Sequence, residues 1–142
     1  WQSIWRRQPC SVAALPTMGM KHRVDNGVYV AFGAMSPQLA ERTGFSDEDA
    51  EKIKAVLTKL FEGDASSARP EGSMQVLKLI WWEHNSKAGQ YSSAKVHSKL
   101  KEIIEEKIKN KSIDGLIGDI TEEKLTVTGN GASLKPEILD GF

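Results

Sequence analysis

An α+β chain ordered strand, helix, strand, helix, strand is what these residues spell out, and three observations lead there. A β-rich run, Val28-Tyr29-Val30-Ala31-Phe32, follows Gly27 and is followed in turn by an amphipathic helical pattern after Phe45. A second apolar run, Gln75 to Trp82, precedes a second helical pattern from Ser93 to Asn110. The stretch Leu125 to Thr128 supplies one late strand. A strand–helix–strand start is half of a ferredoxin-like unit, and the other half has no counterpart here.

The elements follow in order. Trp1, Ile4 and Trp5 have helical spacing, cut short by Pro9, and residues 16–27 read as loop through Pro16, Gly19 and Gly27. The run from Val28 to Phe32 is expected to be a buried strand. Ser36-Pro37 opens a short helical turn, since proline at a first-turn position loses no hydrogen bond. Ser46 is a good N-cap for the next helix, with Asp47, Glu48 and Asp49 facing the positive end of its dipole. Ile53, Val56, Leu57, Leu60 and Phe61 form its apolar stripe, and Gly63 its stop. A polar loop runs from Asp64 to Ser73. In the strand Gln75–Trp82 both faces are mostly apolar, which predicts a central strand with neighbours on either side; Lys78 is the odd member. Val96, Leu100, Ile103, Ile104 and Ile108 are the stripe of the second helix. The chain thus divides into a basic segment, 1–23, a core half, 24–110, and a Gly-rich tail, 111–142.

At 142 residues one domain is expected. No run of about 18 apolar residues occurs, and Arg6 and Arg7 lead into Gln8 and Pro9 rather than a signal-peptide core, so no membrane partner is expected. Cys10 is the single cysteine, which excludes an intrachain disulfide and fits a reducing, cytoplasmic setting. The first residue is Trp1, which suggests a fragment or processed product of a larger subunit. Net charge is zero, but the charges are blocked. Residues 1–23 hold Arg6, Arg7, Lys21 and Arg23 without an acid, and 65–101 hold six cations against Glu71 and Glu83. Acids concentrate in 41–64 and 102–142. Such blocks can fold into one basic and one acidic face, the footprint of a nucleic-acid binder, or can simply be solvated surface.

Catalytic chemistry finds little to work with. His22, His84 and His97 show no metal-ligand spacing, and no nucleophile elbow, phosphate loop or dinucleotide fingerprint occurs. The expectation is therefore no catalytic residue, no metal and no cofactor. Two loops suit a phosphodiester instead. In Met18-Gly19-Met20-Lys21-His22-Arg23, cations follow a flexible glycine; in Ala65-Ser66-Ser67-Ala68-Arg69, small residues permit close approach, hydroxyls donate and Arg69 can bind bidentately. Lys21, His22, Arg23, Ser66, Ser67, Arg69 and Lys78 are the candidate RNA-binding residues. Trp82 is a candidate stacking platform, whereas Trp81 reads as core.

These segments, in this order, resemble a known family. Met18-Gly19-x-Lys21-His22, Gly27-Val28-Tyr29-Val30-Ala31, the stretch Leu39 to Asp49, Leu60-Phe61-Glu62, Ser66-x-Ala68-Arg69 and Leu77-x-Leu79-Ile80 leading to Glu83-His84 are similar to the C-terminal half of the backbone subunit of CRISPR type I Cascade complexes, in the type I-C and I-B branch of the RAMP superfamily. The resemblance implies a modified RNA-recognition-type (RRM-like) palm carrying finger and thumb elements. It implies copies that polymerise along a guide RNA (crRNA), beside other Cascade subunits, and meet target DNA only through guide pairing. Lys21, His22 and Arg69 are then the foremost guide contacts, with Ser66 and Ser67 secondary. Met20 and Ala65 stand where the family usually has cations, and Pro70 where it has glycine. Residues 1–15 and those after about Lys101 match no part of the pattern. Two other readings stay open: an interaction module that binds sibling subunits without gripping RNA, and a metal-dependent endoribonuclease built on Asp64.

Overall fold

A computed structural model describes residues 27–63, 71–110, 115–129 and 132–142. The readings made for residues 1–26 and for the loop 64–70 lie outside that range. The chain divides into two compact units, Trp1–Ala31 and Phe32–Phe142.

In the first unit, residues 27–31 form no strand, contrary to the expectation for Val28–Phe32. Tyr29 turns its ring back over Gly27, where an added Cβ would meet it at 3.1 Å. β-propensity describes fitness for a pleated, half-buried surface, and a run without a pairing partner does not become a strand on composition alone.

The second unit contains α1 (Pro37–Thr43), α2 (Asp47–Leu57), β1 (Lys78–Trp82), α3 (Ser93–Lys109), α4 (Leu116–Asp119), α5 (Glu122–Leu125) and β2 (Pro136–Asp140). Both expected start signals operate. Pro37 opens α1, and Gly44, in the left-handed conformation at φ 75°, closes it with its N–H on the Ala40 carbonyl. Ser46 caps α2 through a full capping box with Asp49. The end of α2 comes earlier than Gly63 predicts. Thr58 donates its hydroxyl to the Ala55 carbonyl, and turns carry the chain onward from there.

The apolar stripe of α2 is only partly covered. Val56 is 62% exposed and Leu60 49%, while the buried residue of the helix is Lys54, at 8%. The reason lies on the sheet. β1 and β2 pair antiparallel with Lys78 opposite Asp140, Ile80 opposite Ile138 and Trp81 opposite Glu137. Opposite residues share a face. Glu137 and Trp81 therefore look toward α2, and Lys54 lies between them, ion-paired to Glu137 with its ammonium 5.6 Å from the Trp81 ring centre. A lysine stem buried along an aromatic surface, with its head on a carboxylate, occupies the place expected for a leucine or isoleucine.

The other face of the sheet carries the core. Leu100 and Ile103 of α3 pack with Leu116 and Leu125 against Ile80, Trp82 and Ile138. Val96 packs with Val127 and Leu134 against Trp82 and Tyr91. The helix predicted from Ser93 is present with its Ser92 cap. The late strand is not at Leu125–Thr128. Leu125 ends α5, Val127 makes an isolated bridge to Leu134, and the strand that pairs with β1 is β2. β1 has this one partner among the described residues, so the central position predicted for it is not observed. The architecture is α+β, with a two-stranded sheet between α2 and the α3–α5 group.

Candidate nucleic-acid interface

Of the sequence-predicted contacts, Lys21, His22, Arg23, Ser66, Ser67 and Arg69 lie outside the described residues. What surrounds the second segment is described. The chain leaves α2 through turns ending at Gly63, at φ 73°, and re-enters through Gly72, at φ 74°, before β1 begins at Lys78. Lys78 thus stands at one root of the segment that carries Ser66, Ser67 and Arg69. Its ammonium is ion-paired to Asp140 of the neighbouring strand, which explains a cation on an otherwise apolar strand face.

The charge blocks do not separate into a basic and an acidic face in the second unit; they meet. Lys87 pairs with Glu41 and Lys78 with Asp140, each joining the basic block 65–101 to an acidic one, while Lys54 pairs with Glu137 between the two acidic blocks. The Lys87 ammonium holds the Glu41 carboxyl below its ordinary value, and Glu41 raises Lys87 in turn. Hydrogen bonds from Lys107 and Lys124 bring Asp119 down to about 2. Lys87 and Glu41 are both largely exposed, so solvent screens their attraction.

Besides Lys54 on Trp81, three more cations among the described residues rest on aromatic rings. The ammonium groups of Lys95, Lys101 and Lys59 lie 4.5, 5.3 and 4.6 Å from the ring centres of Tyr91, Phe32 and Phe142. His97 lies beside the same Phe32 ring, 4.7 Å between centroids. The first half of α3 therefore gathers Lys95, His97, Lys99 and Lys101 with no acid in its first turn, the reverse of the arrangement at α2.

Trp82 is not a stacking platform. Its ring is shared by both core clusters, and its indole N–H donates to the Leu125 carbonyl at 3.3 Å. Trp81, read as core, instead meets Lys54 on the α2 side. The Nδ1 of His84 accepts from the Gln90 amide at 3.0 Å, fixing the turn before α3. Among the described residues no three His, Cys, Asp or Glu side chains converge on a metal-sized site, and no helix is long and apolar enough to cross a membrane. The role of Lys54 was not visible in the sequence, because a lysine beside an apolar stripe looks like solvated surface until its acceptor, far along the chain, is known.

The family described as CRISPR-associated protein Cas7 matches residues 8–123. That match covers most of the chain and places it among the CRISPR-associated proteins of the RAMP group. The chain belongs to the Cas7 family. The matched region extends beyond the Met18–Lys101 stretch on both sides and includes α4 and the first half of α5, which the sequence pattern had left unplaced. No curated protein and no solved structure gives a significant match. Family membership sets the protein in a CRISPR effector complex.

Proposed function

We propose that this chain is a guide-RNA-binding backbone subunit of a type I Cascade effector complex, and that it grips the sugar–phosphate strand without reading bases. The observation that carries the reading is that both phosphate-suited segments, around Lys21 and around Arg69, fall inside the matched region 8–123. Lys21, Arg23 and Arg69 supply positive charge there, His22 a ring N–H, and Ser66 and Ser67 hydroxyl donors. Lys78 contributes by exchanging Asp140 for a phosphate. The motifs from Leu39 to Asp49 and from Leu77 to His84 favour the C-terminal half of the subunit, in the I-C/I-B branch. Its partners are then crRNA, copies of itself, other Cascade subunits and, through guide pairing, target DNA. Such a subunit has no catalytic step of its own and works in the cytoplasm.

Titration of single-stranded RNAs of unrelated sequence tests this. Similar affinities are expected for all of them, falling with salt at a log–log slope near −0.7 per phosphate neutralised. Replacing Lys21 and Arg69 by alanine lowers affinity for every sequence alike and makes the slope shallower by about 0.7 per lost contact. Sequence-dependent losses, or no salt dependence in the wild type, overturn the reading. The closed Lys87–Glu41 and Lys78–Asp140 pairs favour one competitor, a module that binds sibling subunits without RNA; binding to copies of itself with no salt-sensitive RNA affinity is its signature.

A further inference from the structure

The cations of α3 differ in what holds them. Val96, Leu100 and Ile103 are the buried stripe of the helix, and helical spacing puts Lys95 and Lys99 along one edge of it and His97 and Lys101 along the other. On the first edge Lys95 donates to the Thr128 carbonyl at 3.1 Å, and Lys99 pairs with Glu102. On the second, His97 and Lys101 stand about 6 Å apart along the axis. Both meet the ring of Phe32, the imidazole 4.7 Å and the ammonium 5.3 Å from its centre. Among the described residues no carboxylate pairs with Lys101; Glu105, one turn further on, does not reach it. Phe32 belongs to the same unit as α3 and stays 42% exposed despite both contacts. An open aromatic ring beside an unneutralised ammonium is the combination that holds single-stranded nucleic acid: a base takes the apolar surface and the adjoining phosphate takes the charge. An acidic peptide needs only the ammonium and gains nothing from the ring.

We propose that Phe32, His97 and Lys101 form a further contact for single-stranded RNA, in which Phe32 carries a base, with His97 against its ring, and Lys101 binds the phosphate beside that base. Every base has a flat apolar face, so the contact holds a strand without reading its sequence. The choice of RNA as the occupant rests on the RNA-binding reading above, but these residues are distinct from Lys21 and Arg69 and are tested apart from them. What separates the contact from a merely basic surface is that part of the affinity is uncharged and belongs to the base.

Fluorescence anisotropy on the full chain tests this with two probes of equal length and charge, a single-stranded RNA and an abasic strand. Phe32→Leu keeps an apolar side chain and removes the ring; Lys101→Gln keeps the length and removes the charge. Neither residue is in the buried stripe of α3. Phe32→Leu is expected to lower RNA affinity at least about fivefold with an unchanged salt slope, and to bind the abasic strand as the wild type does. Lys101→Gln lowers affinity for both probes and makes the slope shallower by about 0.7. Undiminished RNA affinity in Phe32→Leu, or equal losses for the two probes, overturns the base contact. Wild-type affinity and slope in Lys101→Gln overturn the phosphate contact. The Lys21→Ala, Arg69→Ala double variant separates this proposal from the reading it rests on. If that variant alone loses affinity, the α3 contact fails and the guide segments stand. If it binds as the wild type does while the Phe32 and Lys101 variants weaken, the guide segments fail and the α3 contact stands. A wild type that binds neither probe overturns both.

Discussion

Trp82 sits at the point where two hydrophobic clusters touch, and its indole N–H closes a bond to the Leu125 carbonyl. Truncation to alanine opens both clusters and leaves that carbonyl without its donor. A loss of about 3 kcal/mol is expected in urea unfolding of Trp82→Ala, toward the lower end for buried aromatic truncations. Lys54 poses a different test. Its stem fills a place beside Trp81 and its head meets Glu137. Lys54→Met keeps the stem volume, and Glu137 is exposed enough to rehydrate, so little stability is lost. Lys54→Ala removes the packing as well and costs about 1–2 kcal/mol, read from the same unfolding curves. Equal losses in the two variants would assign the stabilisation to charge rather than to packing.

At the level of elements, local signals survived and distant ones did not. The Ser46 cap, the acids Asp47 and Glu48 and the Pro37 start all act within a turn of their own position, and all were readable in the sequence. The face of α2 that is buried was not readable, because Glu137 decides it from β2. The strand read into Leu125–Thr128 has the right apolar residues in the wrong role: Leu125 and Val127 are fully buried, but as core plugs beside α3 rather than members of a ladder. Of the candidate site, the sequence motifs supply six of the residues and the described structure supplies the setting of Lys78. Asp119 shows how the short helices are held. It binds Lys107 of α3 at 2.5 Å and Lys124 of α5 at 2.7 Å, which lowers its pKa from 3.8 to about 2. A carboxyl depressed by folding stabilises at pH values above its unfolded pKa, and that contribution fades as pH falls through the folded one. The urea midpoint of the wild type is therefore expected to drop between pH 4 and 2 more steeply than that of Asp119→Asn, measured side by side. Parallel curves would deny Asp119 this role.

Over the whole molecule, net charge is zero, and the described unit neutralises its blocks pair by pair. A chain arranged this way projects little field beyond a Debye length of about 8 Å at physiological salt. The RNA grip proposed here thus depends on short-range contacts from the Lys21 and Arg69 segments rather than on long-range attraction, and the alanine variants of those residues are the sharpest probe of it.

The register of the sheet bears on how the protein is made. Among the described residues Lys78–Trp82 finds its ladder in Pro136–Asp140 alone, and the core residues Leu116, Leu125, Val127 and Leu134 all come between. While the ribosome is still translating that stretch, the tryptophan-bearing strand emerges with neither its hydrogen-bonding neighbour nor most of its apolar cover. Pairing so distant in sequence is slow to form and leaves a sticky edge open meanwhile. The nascent chain is accordingly most in need of chaperone protection during the interval between synthesis of Trp82 and release of Asp140.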